Sequence, residues 1–357
     1  MPDWWVRLAD QDRLLAGIAV TSGILLVIAF FFALLTIGLR LRSMHRQVVR
    51  TRLERLWEPL VLSVLSGDAT PQQVSNAVAP RDALFFVSYL LRFVSRFVGD
   101  ERRLLRELAR PYLPRVAAQL HSNRAEARAR AVQTLLLLGD TTYDEQVVSA
   151  LDDESLTVAM VAARALASVE HTRFAPEILR RIHRFRHWNP IYLSSLFSGM
   201  GSDVIPALRA IYSDPGADTL VRRVAADALY ALDDVGSADT ARQIASSNAP
   251  TELVAASIRL LGRVGSPVHA DVARSALLSD NPLLRLRGAE ALGELGGAED
   301  LLRLRSAVDD ASPWVALAAA RALSRSGGAG MLSSLRHEQS PRGALAREVL
   351  GVAPEPA

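Results

Sequence analysis

Two histidines four residues apart, His183 and His187, would share a helix face at the spacing a zinc ion uses. Arg180, Arg181, Arg184 and Arg186 surround them, and so cation-rich a face repels a divalent metal, so no metal site is expected. The same stretch, RRIHRFRHWNP at 180–190, offers a different chemistry: guanidinium forks beside Phe185 and Trp188 suit carboxylate or phosphate. Arg180, Arg181, Arg184, Arg186 and Trp188 therefore form the candidate site for an acidic protein, a phospholipid head group or a phosphorylated ligand. The competing reading is that these arginines are solvated, stacked on the rings or paired with acids of neighbouring elements. Aspartate pairs at 152–153, 233–234 and 309–310 invite a metal reading, but they fall at helix boundaries, where capping and solubility account for them.

Other chemistry is excluded by residue type. The 357-residue chain has no cysteine, which rules out thiolate nucleophiles, disulfides and cysteine zinc or iron–sulfur sites. All 41 basic residues are arginine, so a Walker A lysine, a Schiff-base lysine and a Ser-x-x-Lys dyad are impossible. No serine elbow, His-Glu-x-x-His or glycine-rich phosphate fingerprint occurs. No catalytic, cofactor or metal residue is assigned, and the expectation is a protein that is not an enzyme. The net charge of +3 is unevenly placed: residues 1–55 hold eight arginines against four acids, and the rest holds 33 against 34. A nucleic-acid binder needs a broader basic face, so no nucleic-acid partner is expected, nor a small-molecule ligand.

The elements that carry these residues begin with an uncharged run. Residues 14–39 contain no charge, and 26 residues of helix more than cover a hydrocarbon core of roughly 30 Å. The preceding tail is acidic on balance and the run is too long for a cleaved signal, so a retained single-pass anchor is expected. Arg7 and Arg13 precede it, whereas Arg40, Arg42, Arg46, Arg50, Arg52 and Arg55 follow, which puts the N-terminus outside and the remainder in the cytoplasm. Arg40, Arg42, Arg46 and Arg50 are candidate lipid-headgroup contacts, with a plain stop-transfer signal as the alternative.

Beyond residue 110 the chain repeats itself. Leu135, Leu166, Leu196, Leu229, Leu261, Leu292 and Leu323 recur at spacings of 30–33 residues. Eight residues before each stands an apolar residue, and four before stands a small one in six of seven repeats, Tyr192 being the exception. These positions share one helical face, so each repeat has a helix with an apolar stripe and a small central residue that admits a neighbour. A shorter amphipathic helix precedes it, joined by turns such as DDES at 152–155 and SDNP at 279–282.

DNPLLRLRGAEALGELG at 280–296, DESLTVAMVAARALASV at 153–169 and DASPWVALAAARALSRSG at 310–327 resemble bacterial HEAT repeats, particularly the phycobilisome-lyase-like subclass. The resemblance covers about residues 111–351 and implies an all-α, right-handed α-solenoid of HEAT-like helix pairs, here preceded by one transmembrane helix. Departures are the arginine at −7, present only as Arg128, Arg222 and Arg285, and the 171–201 repeat with Tyr192. The layout of one span, Trp-Glu-Pro-Leu at 57–60 and such an array also resembles a type of bacterial inner-membrane protein often encoded beside envelope-polysaccharide glycosyltransferases.

These readings give a tail at 1–13, a transmembrane helix at 14–39, a basic juxtamembrane helix at 40–55, a helical cap at 56–110, the array at 111–351 and a flexible tail at 352–357. The cap holds six of the 21 aromatic residues, five of them on a helix at 80–98 that serves either as packing or as a docking surface. The expected function is a membrane-tethered scaffold or adaptor that binds a protein partner at the cytoplasmic face of the inner membrane, with an envelope-polysaccharide glycosyltransferase as the partner the layout suggests. The alternative is a HEAT-fold enzyme acting on a small ligand, as a bilin lyase does, with acids dispersed among repeats converging in space.

Overall fold

A computed structural model describes the backbone of residues 4–351 except 95, 98 and 168; side chains are described from residue 26, except at 35, 38, 39, 41–46, 95, 98 and 168–171. The first half of the 14–39 span, Arg42, Arg46 and the 352–357 tail lie outside those described side chains. Among the described residues all regular structure is helical, and the chain divides into two units, 1–112 and 113–357.

The first unit is built on one 62-residue helix, α1 (Trp4–Leu65), which merges the expected span, the basic strip and the start of the cap. Its length is roughly 90 Å. The described apolar residues from Leu26 to Leu34 are exposed around the whole helix. Among the described residues no helix is long and apolar enough to cross a membrane. After a non-helical stretch at 66–70, Pro71 opens a helix, α2 (Pro71–Ala77), because proline at the first helical position lacks only an amide that the helix does not use. Helices α3 (Ala83–Val94) and α4 (Asp100–Ala109) complete the unit. The aromatic helix turns inward: Trp57 is fully buried, edge-on to Phe86 at 5.1 Å between ring centres, and Phe86 meets Tyr112 at 5.5 Å. Phe86, Tyr89 and Leu90 are core residues and present no docking face.

The second unit is a series of helix pairs, odd numbers first and even numbers second. They are α5 (Leu113–Ala118), α6 (Ala125–Leu138), α7 (Asp144–Ser149), α8 (Leu156–Leu166), α9 (Ala175–Arg181), α10 (Pro190–Ser198), α11 (Ile205–Ser213) and α12 (Thr219–Ala231). There follow α13 (Ala238–Ala245), α14 (Thr251–Val264), α15 (Ala270–Leu277), α16 (Pro282–Leu295), α17 (Leu301–Ala307), α18 (Pro313–Leu323), α19 (Ala329–Ser333) and α20 (Pro341–Val349). Second helices pack on second helices, α6 on α8 and α10 through α18 in unbroken succession, and from α11 to α18 each first helix packs on its own partner. This is the one-dimensional stacking that lets a repeat bury its apolar face only against neighbours.

The register read from the leucines holds. All seven are buried, each contributing about 1.5–3 kcal/mol of apolar burial. The small residue four positions earlier admits the repeat's own first helix: a methyl group added at Gly288 would sit 2.6 Å from the Leu277 backbone nitrogen and 2.9 Å from the Ala273 carbonyl. A second glycine, one residue after the leucine, admits the next repeat. At Gly262 the added carbon would lie 3.0 Å from Ala291, and at Gly293 it would lie 2.6 Å from the Ala322 side chain. Asn281 and Asp218 cap α16 and α12 through their side-chain oxygens, which accept from Leu283 and Leu220 amides.

Candidate functional site

The basic stretch at 180–190 straddles the end of α9, a 3₁₀ turn over Ile182–Phe185 and the approach to α10. Its arginines do not converge on one open patch. Arg181 donates to both carboxylate oxygens of Asp152 at 2.9 Å and to Glu177 at 2.7 Å. Arg184 reaches back to the backbone carbonyls of Leu151 and of Asp153, the latter at 2.6 Å. Arg180 pairs with Glu177, and Arg186 donates to the His183 carbonyl at 3.3 Å. Phe185 is fully buried, whereas Trp188 lies at the surface with its ring 5.7 Å from Tyr192. His183 turns its ring onto the Arg180 carbonyl at 3.0 Å. Among the described residues no group of three or more His, Asp or Glu side chains converges as a metal site. Of the headgroup candidates, Arg50 lies over the Phe85 ring at 5.2 Å. Arg40 is exposed, and Arg42 and Arg46 are outside the described side chains.

The aspartate pairs do more than cap. In each, the second aspartate takes an arginine 25 residues back and the first takes one 29–33 residues ahead. Arg128 holds Asp153 by two parallel bonds of 2.8 and 2.9 Å, and Arg285 holds Asp310 at 2.7 and 3.0 Å. Arg209 holds Asp234 in the same way. Looking forward, Asp152 meets Arg181, Asp233 meets Arg263 and Asp309 meets Arg342. Asp233 adopts a left-handed backbone at φ 53°, a conformation aspartate tolerates better than most residues. Asp153, Asp234 and Asp310 are held below the usual carboxylate range, first by the arginine bond and further by bonds from backbone amides. Arg128 and Arg285 also donate to the carbonyls of Ser122 and Ser279, and Arg222 does so to Tyr212, so the arginine at −7 ties down the end of the preceding first helix.

Two adjoining hollows lie along the second helices. One, of about 360 Å³, is polar and lined by Tyr230, Arg259, Arg263, Arg287, Glu290, Glu294 and Arg325. Its charges are matched: Arg287 bonds Glu290 at 2.7 Å, Arg325 bonds Glu294 at 2.8 Å and Arg259 reaches Asp227 at 3.3 Å while lying over the Tyr230 ring. Asp227 is nearly buried, and desolvation raises its pKa against the pull of Arg259 and Arg223. The second hollow, of about 510 Å³, shares Glu290 and Arg325 but is walled by Leu286, Trp314, Leu317 and Arg321. Sequence reading missed this face. Its signal is present two residues before each of the last four repeat leucines, where Asp227, Arg259, Glu290 and Arg321 alternate in sign.

Residues 238–324, which span α13 to α18, match the family described as HEAT repeats, and the array is a HEAT-repeat α-solenoid. No curated protein matches the chain. Solved structures similar to it include human deoxyhypusine hydroxylase in complex with glycerol, at 18% identity over 71% of this chain and 98% of that one, with a TM-score of 0.27. The complex of CpcE and CpcF of phycocyanin lyase from Nostoc sp. PCC7120 aligns at 15% identity over 80% and 95%, with a TM-score of 0.26. An engineered protein aligns at 16% identity over 84% and 98%, with a TM-score of 0.31.

Proposed function

We propose that this HEAT-repeat protein is a membrane-tethered, non-catalytic scaffold whose array binds a protein partner at the cytoplasmic face of a bacterial inner membrane. The observation that carries the tether is α1 between Leu26 and Leu34, where Leu26, Phe31 and Phe32 point to three different sides of one helix and are all more than half exposed. A helix apolar all round belongs inside a protein core or a bilayer, and among the described residues no core surrounds it. The arginines that follow the run set the orientation, with the array on the arginine-rich side. Trp57, buried at the far end of the same helix, fixes the tether to folded structure.

An extended array suits binding because its surface grows with each repeat while every repeat stays rigidly seated on the next. Confinement to the membrane raises the effective concentration of a partner that is itself membrane-bound, so a weak contact is well occupied. An envelope-polysaccharide glycosyltransferase is the partner the chain layout favours. Reporter fusions at the C-terminus, one active only in the cytoplasm and one only outside it, test the topology. The cytoplasmic reporter should be active; activity of the external one overturns the orientation. Deleting residues 1–39 should release the protein from the membrane fraction, and continued membrane association overturns the tether.

A further inference from the structure

Trp314 is 73% exposed at the start of α18, beside a hollow of about 510 Å³. The fold does not require an aromatic there. The equivalent position in the other repeats holds Glu126, Thr157, His187, Leu220, Glu252 or Leu283, and the repeat helix forms with each of them. Leu317 and Arg321 follow at i+3 and i+7, so the three side chains make one stripe on α18, with Trp314 and Arg321 roughly 10 Å apart along the axis. Leu286 of α16 supplies the opposite apolar wall.

The charges of this hollow are unequal. Glu290 is compensated by Arg287 at 2.7 Å and Glu294 by Arg325 at 2.8 Å. Arg321 is exposed and has no ion pair among the described residues. Tryptophan and arginine are among the residue types most enriched at interface hot spots, the apolar ring as an anchor and the guanidinium as a fork that fixes a carboxylate.

We infer that the hollow between α16 and α18 is the docking site of an acidic peptide segment of the partner, its large apolar side chain against Trp314, Leu317 and Leu286 and its carboxylate on Arg321. Three extended peptide residues span about 10 Å, so a carboxylate about three residues from the anchor reaches the guanidinium. The inference rests on the scaffold reading above and specifies the chemistry of the partner.

The test is selection of a random dodecapeptide display library on the full chain held in detergent micelles. Enriched peptides should combine Asp or Glu with an aromatic or large aliphatic residue, and their affinity should fall about tenfold or more in Trp314→Ala. Arg321→Glu should abolish their binding and, in a fresh selection, enrich Lys or Arg instead. Both side chains are exposed, so thermal melting of the two variants should match the parent. Failure to enrich any peptide, enrichment without acids, or undiminished binding by the Trp314→Ala, Arg321→Glu double variant overturns the inference. So does a dimer of the parent that Trp314→Ala dissolves, which would make a second copy the occupant. Binding to phosphatidylglycerol vesicles that depends on Trp314 would likewise assign the site to lipid. Neither variant should move the protein from the membrane fraction; loss of the tether alone, with peptide selection intact, would overturn the membrane reading and leave this site standing.

Discussion

The repeats from α13 to α18 and the repeat at 171–201 solve the same problem by different means. In the former, Gly262 and Gly293 bring successive second helices so close that an added methyl group would press on Ala291 or Ala322 of the next helix, and the stack is held by apolar contact. In the latter, α9 has seven residues and α10 has nine, and Tyr192 occupies the position that Ser257, Gly288 and Ala319 fill elsewhere. Second-helix succession is interrupted there, since α8 packs on α9 and the 3₁₀ turn after it. What attaches the irregular repeat is polar: Arg181 on Asp152 and Arg184 on two carbonyls of the preceding turn. A basic cluster in a degenerate repeat looks like a ligand site in sequence, but half of it is the mortar of the joint.

The largest effect that would sharpen this contrast is overpacking of the regular stack. Gly293→Val or Ala319→Leu should destabilise the protein by about 1–3 kcal/mol, read from denaturant melts, because the neighbouring backbone cannot withdraw without disturbing the next repeat. Tyr192→Phe, by contrast, should leave stability within about 0.5 kcal/mol, since its half-buried ring keeps its contact with Trp188. Equal losses in the two places would show that the irregular repeat is packed as tightly as its neighbours.

Removing a polar tie comes next. Arg184→Ala deprives the Leu151 and Asp153 carbonyls of a charged donor and should cost about 1–2 kcal/mol, whereas the same change at the exposed, solvent-matched Arg180 should cost little. If Arg184→Ala melts like the parent, the joint is apolar after all and the cluster returns to being a surface feature.

The period of 30–33 residues made the core legible, because every repeat buries the same three helical positions and apolar pattern repeats with geometry. The arginine–aspartate ties were legible only in hindsight. Arg128 and Asp153, Arg209 and Asp234, and Arg285 and Asp310 share a spacing of 25, but nothing local to either residue marks it as half of a pair. The Trp314 hollow escaped for a different reason. An aromatic at a helix start reads as core, and its exposure is decided by which way the neighbouring second helix faces, a property of the stack and not of the segment. The aromatic helix at 83–94 shows the reverse case, rings that could have been a surface but are turned onto Trp57.

The mildest prediction separates the two kinds of carboxylate by pH. Asp153 and Asp310 have folded pKa values lowered by their arginines, so each stabilises the fold fully above the ordinary aspartate value of about 3.9 and loses that contribution as pH falls through its lower folded value. Asp227 runs the other way. Burial raises its folded pKa, so the fold is favoured with this group protonated, and that advantage is lost as pH rises through the raised value. Melting temperature followed from neutral pH downward should therefore fall less steeply at the acid end for Asp310→Asn than for the parent. Asp227→Asn should remove the loss on the rising side and be no less stable than the parent at neutral pH. The two slopes should change independently, because Asp227 is buried on α12 against Arg259 and Asp310 lies in the turn before α18. If Asp227→Asn instead unfolds the protein at neutral pH, its contacts with Arg259 and Arg223 outweigh its desolvation, and the charged hollow is a structural tie like those at the turns.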